Sequence, residues 1–386
     1  MAFEALIITG TSCSGKTTLS KEICETNNNI PFKNVNAVTT RNKRSDDTNY
    51  EYLSNEQYEQ LIAVDAFLVR SEYRGEKYGI KKSDYAQILE TKNIPILVLT
   101  PESANKLISK NKEQYLSIFV DCDNELLWER TIKRKCGYNK KDFFSQCELD
   151  RIYKNYFNYT IDNINSSLSA SLISFLWSNQ QNGGGLPHDI IEKMIKCGML
   201  LKDSDPSMVK GASYDLRLGD EYYYGGKIRY LSPKDPILTI EPYDYAIVSC
   251  VEKACIPRDI IAKFGLSVSL FCQGIILSNG PQVDPGFHGT LFCLLFNTSN
   301  KTVYLKRGQH YATIEFNKLI GFADPYSGKY QKKESIIDYI PSNSLHGAIN
   351  ELKKEVEELK KESKIMQNIY LGVAALMFAI ISILLI

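Results

Sequence analysis

The chain has 386 residues, with 46 Lys and Arg against 45 Asp and Glu and a formal net charge of +1. This length allows two domains with their own cores, and the near-neutral charge excludes the broad basic field that recruits nucleic acid. The ten cysteines are scattered without a CxxC pair, so we expect reduced thiols in a cytosolic setting.

The first predicted element is a buried strand over residues 5–9, and GTSCSGKT follows it at residues 10–17. This is P-loop spacing: the glycines let backbone amides face a polyphosphate, Lys16 supplies a cation, and Thr17 offers a hydroxyl to magnesium. A helix that opens here directs its positive end at the same phosphates. The pattern predicts binding of ATP and Mg²⁺, with Thr17 as the metal ligand, by residues Gly10, Ser12, Ser14, Gly15, Lys16, Thr17 and Thr18.

After the first helix, Arg41 and Arg44 lie three residues apart on a predicted loop. Two guanidinium groups at this spacing can hold one phosphate from two sides. Further along, apolar runs over 94–99 and 118–120 alternate with helical stretches. Such alternation predicts a parallel sheet whose loops gather at one end. We therefore predict an α/β P-loop NTPase domain over residues 1–178.

This segment resembles the guanylate kinase family of nucleoside monophosphate kinases, through its P-loop and the sequence TTRNKR at residues 39–44. The resemblance implies that the phosphate of a monophosphate acceptor is held by Arg41, Arg44, Tyr50 and Tyr78. It also implies that arginines of a mobile lid act with Lys16 on the transferring phosphoryl group. The matching positions are Arg130, Arg134 and Arg151, for which a solvated helix face is the alternative.

Three positions depart from the family where it recognises guanine. Val69 replaces a glutamate, Ile80 replaces a serine, and the stretch that usually supplies an aspartate reads Val-Leu-Thr at residues 98–100. Guanine would leave donors unpaired here, at a cost of about 1–3 kcal/mol each. We therefore predict a different acceptor, either another nucleoside monophosphate or a phosphosugar, as in the ribose bisphosphate kinases of the same family.

The composition of the chain and the pattern of its predicted elements change after residue 178. Residues 179–185 are polar and glycine-rich, which predicts a flexible linker. One helix follows, and then short strand-like runs separated by Pro, Gly and Asn turns predict an all-β domain over residues 186–342. The predicted strands include 245–251, 274–277, 290–296 and 311–316.

Four motifs of this domain resemble, in order, the family of dCTP deaminases and dUTPases. They are ASYDLRLG at 212–219, VDPGFHG at 283–289, KRGQ at 306–309 and GKYQ at 328–331. The resemblance implies a dUTPase-like barrel, a homotrimer and a second nucleotide. The residues implied to bind that nucleotide are Ser269, Asp284, Tyr330 and Gln331.

The catalytic groups of that family are missing. The glutamate that activates water in deaminases aligns with Leu294, which cannot carry a proton. Two phosphate-binding arginines align with Ser267 and Gln282. We therefore predict a degenerate domain that binds a nucleotide. An active dCTP deaminase or dUTP pyrophosphatase is the alternative, since Asp284 is retained; in a merely structural role it caps its own turn.

The tail divides into two predicted segments. Apolar residues at alternating steps of four and three predict a coiled coil over 343–366, and a single amphipathic helix is the alternative. The following residues carry no charge from 369 to 386, which predicts a transmembrane tail anchor over 367–386 rather than a core helix. A single-pass, tail-anchored membrane protein with both domains cytoplasmic is the expected localisation.

Two functions are consistent with these features. The first is a membrane-anchored, ATP-dependent phosphotransferase of the nucleoside monophosphate kinase type, favoured by the intact phosphate machinery at Lys16, Thr17 and Arg41. The second is a nucleotide-sensing membrane effector without turnover, for example in defence against phage. It is favoured by the loss of base readout in one domain and of catalytic groups in the other.

Overall fold

The computed structural model describes residues 3–26, 29–43, 49–134, 137–340 and 348–384. The amino-terminal region, up to residue 178, alternates strands and helices as predicted. Its strands are β1 Ala5–Gly10, β2 Phe32–Asn34, β3 Ala37–Thr39, β4 Tyr50–Tyr52, β5 Phe67–Tyr73, β6 Glu76–Lys81, β7 Ile94–Val98, β8 Tyr115–Asp121 and β9 Tyr159–Asp162. Its helices are α1 Lys16–Thr26, α2 Asn55–Ala63, α3 Lys82–Glu90, α4 Pro101–Lys110, α5 Asn124–Lys133, α6 Lys140–Arg151 and α7 Ser166–Ser178.

Two sheets build this region. The main sheet is parallel, with strand order β2-β7-β1-β8-β9. Every residue of β1 and β8 is buried, as expected for central strands of a parallel sheet covered on both faces. A second sheet has the order β4-β3-β6-β5. Together with α2 it forms the arm, residues 37–43 and 49–81, which lies across a cavity from the carboxyl end of β1.

The second region, residues 184–340, is rich in antiparallel strands. The strands are β10 Gly184–Gly185, β11 Leu200–Lys202, β12 Ser213–Tyr224, β13 Lys227–Tyr230, β14 Ile237–Ile240, β15 Tyr245–Cys255, β16 Ile260–Leu266, β17 Ile275–Ser278, β18 His288–Asn297, β19 Val303–Lys306 and β20 His310–Lys318. Its helices are α8 His188–Lys196 and the short α9 Val268–Phe271. Nine strands share one sheet, and β14 pairs with β19. The prediction of an all-β domain is confirmed in part, since the region is β-rich but also contains two helices.

The two regions share one hydrophobic core. Its buried members run from the main sheet through α7 and α8 to the strands of the β-rich region. Residues 184 and 185, assigned from sequence to a flexible linker, pair with Lys318 and Asn317 of β20 and extend its sheet. Glycine suits this position, because its small size lets one backbone lie close to another.

The tail forms one helix, α10 Ala348–Leu384, while residues 343–347 of the predicted coiled coil lie outside the described part. Every described side chain between 355 and 378 is exposed, so the coiled coil stays a prediction. Among the residues that the structure describes, no helix combines the length and apolar character that a bilayer crossing requires. The predicted anchor over 367–386 is therefore not supported, and residues 385–386 of it are not described.

Candidate nucleotide site

The loop between β1 and α1 has the backbone of a phosphate cradle. Gly10 lies at φ 137°, and a Cβ there would come within 1.9 Å of the carbonyl oxygen of Val120. Gly15 lies at φ 89°, where a Cβ would meet the amide of Asn163 at 2.7 Å. Both positions therefore require glycine. Cys13 also has a positive φ of 62°, so the turn wraps tightly in front of the amino end of α1.

Lys16 and Thr17 lie in the first turn of α1, next to this cradle. Lys16 Nζ donates to the carbonyl oxygens of Gly10 and Thr11 at 3.0 and 2.6 Å. Burial lowers the pKa of Lys16, while the nearby carboxylate of Asp150 opposes that shift. The glycine cradle, the cation and the Thr17 hydroxyl are the donor set that a magnesium–polyphosphate pair requires. The residues therefore fit ATP and Mg²⁺, and Thr17 is the residue that would hold the metal.

A network of hydrogen bonds holds the loop from behind. Thr11 Oγ1 donates to Asp121 Oδ1 at 3.0 Å, and Arg151 Nε donates to Asp121 Oδ2 at 2.9 Å. On the other side, Asn163 Nδ2 donates to the carbonyl oxygen of Ser14 at 2.9 Å. These contacts fix the loop backbone, which pre-organises it for a charged ligand.

The arm faces the loop across a cavity. That cavity is lined by Lys16, Thr17 and Arg134 on one side and by Arg41, Tyr50 and Tyr78 of the arm on the other. Arg41 is buried, and its guanidinium lies 4.8 Å from the centre of the Tyr50 ring. The structure therefore brings together most of the predicted phosphate-binding residues. Arg44 lies outside the described residues.

The inner end of the cavity is lined by apolar side chains and by hydroxyl groups. Val69 and Ile80 are 8% and 1% exposed and line it from the arm. Three hydroxyls form a chain beside them: Ser71 Oγ and Thr100 Oγ1 are 3.2 Å apart, and Thr100 Oγ1 and Ser103 Oγ are 2.8 Å apart. No carboxylate is among the described residues that line this cavity.

The three predicted lid arginines have different surroundings. Arg134 lines the cavity. Arg130 instead donates to the carbonyl oxygens of Ser14 and Asn163 at 3.3 and 2.9 Å. Arg151 binds Asp121 behind the loop and also Glu148 on its own helix. The contacts of Arg130 and Arg151 therefore support the phosphate loop, and only Arg134 points into the cavity.

In the β-rich region, the predicted nucleotide-binding residues make contacts within the protein. Gln331 accepts from the backbone N–H of His288 and donates to two carbonyl oxygens, those of Gly286 and Tyr326, at 2.8 and 2.9 Å. Asp284 Oδ1 accepts from Gln282 at 2.8 Å. The ring of Tyr330 stacks on Tyr339 with 5.0 Å between centroids, and Ser269 is exposed beside Ser267.

Leu294 lies on β18, where its register partners are Ile247 of β15 and Ser278 of β17. Three residues on, Asn297 is fully buried and donates to the carbonyl oxygens of Ile240 and Lys301 at 3.0 and 2.8 Å. Asn297 therefore ties three chain segments together. The register also shows that neither neighbour of Leu294 supplies a carboxylate.

Three residues that sequence reasoning missed, Asp121, Asp150 and Asn163, surround the loop. Asp121 ends β8, and Asn163 follows β9, so the rule that parallel strands end at one edge of a sheet would have placed both near the P-loop. Asp150 lies on α6, 134 positions after Lys16 in the numbering, and no local pattern indicates their proximity.

Comparisons with known proteins agree with this division. Residues 3–174 match the guanylate kinase family, and residues 186–319 match the dCTP deaminase-like family. A dCTP deaminase of Thermococcus kodakarensis is 40% identical over 139 residues, which cover 36% of this chain and 88% of that protein. A dCTP deaminase of Pyrococcus horikoshii is 33% identical over 144 residues, covering 37% and 91%.

A guanylate kinase of Clostridium perfringens is 32% identical over 165 residues, which cover 42% of this chain and 76% of that protein. The two families match separate stretches of the chain, with residues 175–185 between them. This gap coincides with the change from the α/β region to the β-rich region. The chain therefore belongs to the guanylate kinase family through its amino-terminal region and to the dCTP deaminase-like family through its β-rich region.

Proposed function

We propose that the protein is an ATP-dependent phosphotransferase of the nucleotide kinase type whose acceptor is not guanylate. One observation carries this proposal. A single cavity joins the phosphate loop, with Lys16 and Thr17, to the phosphate-binding wall of the arm, with Arg41 and Tyr50. A donor triphosphate and an acceptor phosphate bound at these two ends would meet in line, which is the main requirement of phosphoryl transfer.

The residues of the chain act by position and charge. The loop amides and Lys16 would hold the donor phosphates, and Arg41 would hold the acceptor phosphate. Arg134, which lines the cavity, would stabilise charge on the transferring group. Magnesium, held by Thr17, would supply neutralisation of the phosphate charge. No nucleophilic side chain is required.

The acceptor is selected at the inner end of the cavity. Guanine presents two adjacent N–H donors, and the buried Val69 and Ile80 cannot accept from them. The hydroxyls of Ser71, Thr100 and Ser103 can both donate and accept, so they suit a smaller polar group. We propose a nucleoside monophosphate other than GMP, or a phosphosugar, as the acceptor.

The test is a transfer assay with the full chain, Mg²⁺ and ATP. The acceptors are GMP, the other ribo- and deoxyribonucleoside monophosphates, and a set of phosphosugars. Transfer to at least one acceptor other than GMP, abolished by Lys16→Ala, is the expected result. Transfer to GMP alone would contradict the proposed selectivity, and ATP binding without transfer to any acceptor would favour the sensing function.

The β-rich region supports a second proposal, a nucleotide-binding domain without deamination. Leu294 has Ile247 and Ser278 as register partners, and a deaminase needs a carboxylate to activate water at this place. We expect the full chain to bind dCTP or dUTP, as a homotrimer, without deaminating or hydrolysing either nucleotide. Formation of dUTP from dCTP, or of dUMP and pyrophosphate from dUTP, would refute this proposal.

A nucleotide sensor would need its two regions to be mechanically joined. The shared core and the hydrogen bond from the Asp162 backbone N–H to the carbonyl oxygen of Cys197 provide such a joint. This observation keeps sensing as the second candidate function. Titration calorimetry with ATP, in the presence and absence of dCTP, tests it: coupled affinities are expected for a sensor, and independent ones would exclude it.

A further inference from the structure

Three cysteines meet next to the phosphate loop. Cys13, Cys122 and Cys147 belong to one buried cluster, together with Leu127 and Phe143. They come from parts of the chain that lie far apart, namely the loop itself, the residue after β8, and helix α6. All three are free thiols. The proposed phosphoryl transfer uses none of these side chains.

Cys13 is the thiol of this cluster that a small molecule can reach. It is 8% exposed and lines the nucleotide cavity, whereas Cys122 and Cys147 are 3% and 0% exposed. Its charge also acts on the ammonium of Lys16, so a cation lies near this thiol. Peroxides oxidise thiolates, and a neighbouring cation favours the thiolate form. An oxidant that enters the cavity therefore meets Cys13 first.

Arg130 connects Cys122 to the same loop. Its Nη1 donates to the carbonyl oxygen of Ser14 at 3.3 Å and to Cys122 Sγ at 3.5 Å. One guanidinium nitrogen therefore contacts both the sulfur of Cys122 and the residue that follows Cys13. Burial raises the pKa of the Cys122 thiol to about 12, although the charge of Arg130 opposes that shift. Cys122 therefore stays protonated and does not attack peroxide itself, but it lies in the cluster where an oxidised Cys13 would form.

We propose that Cys13 and Cys122 are a redox-active pair, which a peroxide converts into a disulfide that prevents nucleotide binding at the phosphate loop. First, the Cys13 sulfur attacks a peroxide oxygen: an S–O bond forms, the O–O bond breaks, and the departing hydroxide becomes water, which leaves a sulfenic acid. Then the Cys122 sulfur attacks the Cys13 sulfur: the S–S bond forms, and the hydroxyl group leaves with the Cys122 proton as water. Two thiols and one hydrogen peroxide give one disulfide and two water molecules.

The disulfide acts on the loop because of where its two ends are anchored. Cys13 lies in the turn before α1, at a positive φ of 62°. A disulfide holds its two Cα atoms about 5.5–6 Å apart, so this one would tie that turn to the end of β8. The backbone amides on both sides of Cys13 could then no longer adjust to a polyphosphate. This loss of nucleotide binding rests on the proposed function, whereas formation of the disulfide does not.

The test treats the full chain with hydrogen peroxide and maps its disulfides by mass spectrometry of a non-reduced digest. We expect a disulfide between Cys13 and Cys122. The affinity for Mg²⁺–ATP should fall at least tenfold and return to within twofold of its initial value after a dithiol reductant is added. Bound Mg²⁺–ATP should slow formation of the disulfide at least tenfold, because its phosphates would lie against the loop.

Two results would overturn the proposal: Cys13 remains without a disulfide, or its disulfide joins it to a cysteine other than Cys122. A Cys13–Cys122 disulfide that leaves the affinity for Mg²⁺–ATP unchanged would overturn the proposed block of binding. A reduced chain that does not bind Mg²⁺–ATP would instead contradict the proposed function, and the disulfide map would still decide whether the redox pair exists.

Serine variants separate the two steps. In Cys122→Ser the reaction should stop at the sulfenic acid, which the reagent dimedone traps on Cys13. Cys13→Ser should give neither a disulfide nor a dimedone adduct at Cys122, and an adduct there would contradict the order of the steps. Cys147→Ser is the matched control, because it removes a buried thiol of the same cluster and should leave the Cys13–Cys122 disulfide intact. If Cys13→Ser does not fold, Cys122→Ser carries the test.

Discussion

Arg151 and Arg134 differ in what their guanidinium groups can reach. Arg151 bonds the buried Asp121, whose other oxygen holds Thr11 of the phosphate loop, whereas Arg134 lines the cavity. Removing one partner of a buried ion pair leaves an uncompensated charge, although Lys154 still lies 2.9 Å from Asp121. The two arginines should therefore respond differently to the same substitution.

We predict that Arg151→Met lowers the free energy of unfolding by about 2 kcal/mol. Arg134→Met, the matched control, should leave stability within about 0.5 kcal/mol and lower kcat at least tenfold. Urea denaturation and the transfer assay measure the two effects. The reverse pattern, with stable but inactive Arg151→Met, would restore the lid role implied by the family resemblance.

Asp121 also gives a pH dependence. Burial alone would raise the pKa of Asp121, but the hydrogen bond from Arg151 and the charge of Lys154 together lower it below its ordinary value. Because the pKa is lower in the folded state, this carboxylate stabilises the protein above its unfolded-state value of about 3.9 and stops doing so as pH falls through the folded-state pKa.

Stability measured from pH 6 down to pH 2 should therefore fall, and Asp121→Asn should flatten part of that fall. Asp65→Asn is the matched control, since the pKa of Asp65 is also lowered but the group is fully exposed beside Lys82. An identical acid profile in Asp121→Asn and the parent would contradict this assignment.

Val69 is the residue at which acceptor choice can be reversed. A glutamate there would offer two oxygens to the adjacent N–H donors of guanine, and a hydrogen bond to a charged group is worth about 1.5–3 kcal/mol. We predict that Val69→Glu raises kcat/KM for GMP by at least tenfold. Val69→Leu, of similar shape without charge, should leave it unchanged. Equal values for both variants would show that base selection lies elsewhere.

At the level of elements, local patterns predicted what depends on neighbouring residues. The apolar run over 94–99 correctly predicted β7, and the P-loop spacing correctly predicted the turn before α1. Both predictions succeed because strand burial and glycine geometry depend on only a few neighbouring residues. The bond between Tyr73 and Asp150 joins elements far apart in the chain. The hydrogen-bond partners of Arg130 and Arg151 could not be predicted either, because the polar pattern of a helix face does not indicate which segments pack against it.

The loop after α8 is an element whose geometry depends on both regions. Gly198 lies at φ 78°, and a Cβ there would approach Asp162 Oδ2 to 2.3 Å. The backbone N–H of Asp162 also donates to the carbonyl oxygen of Cys197 at 2.9 Å. Asp162 belongs to β9 and is followed by Asn163, which bonds the phosphate loop. The hydrogen bond between Asp162 and Cys197 therefore connects the β-rich region to the nucleotide site.

We predict that Gly198→Ala destabilises the protein by about 3 kcal/mol, of which about 1–2 kcal/mol comes from the positive φ and about 1–2 kcal/mol from the clash with Asp162. Gly308→Ala isolates that backbone effect, because Gly308 has φ 73° and a Cβ added there would meet no atom within 4 Å. Adding Asp162→Ala to Gly198→Ala should recover part of the difference in stability loss between Gly198→Ala and Gly308→Ala, because it removes the clashing carboxylate. Equal losses at Gly198 and Gly308 in thermal denaturation would show that the contact with Asp162 is unimportant.

In the whole molecule, buried contacts join the two regions more closely than a linker between two independent domains would. Tyr159 of β9 donates to Asp259 of the β-rich region, and Lys318 lies 3.3 Å from the same carboxylate. All three side chains are buried. The Tyr159 hydroxyl has this partner only when both regions are present, and the surrounding apolar core is continuous across them.

The isolated segment 1–178 should therefore be less stable than the same residues within the full chain. Separation would expose the apolar face of α7 to water, at about 25 cal/mol for each Å² uncovered, and would leave Tyr159 without Asp259. Trp177 is buried on α7 and belongs to the apolar core that both regions share, so its fluorescence in a Trp128→Phe background reports on this core. We predict a red-shifted emission and a lower thermal midpoint for the segment, and one cooperative transition for the full chain followed at Trp177. Two separate transitions in the full chain, with an unchanged midpoint for the segment, would mean that the regions fold independently and that the joint between them transmits nothing.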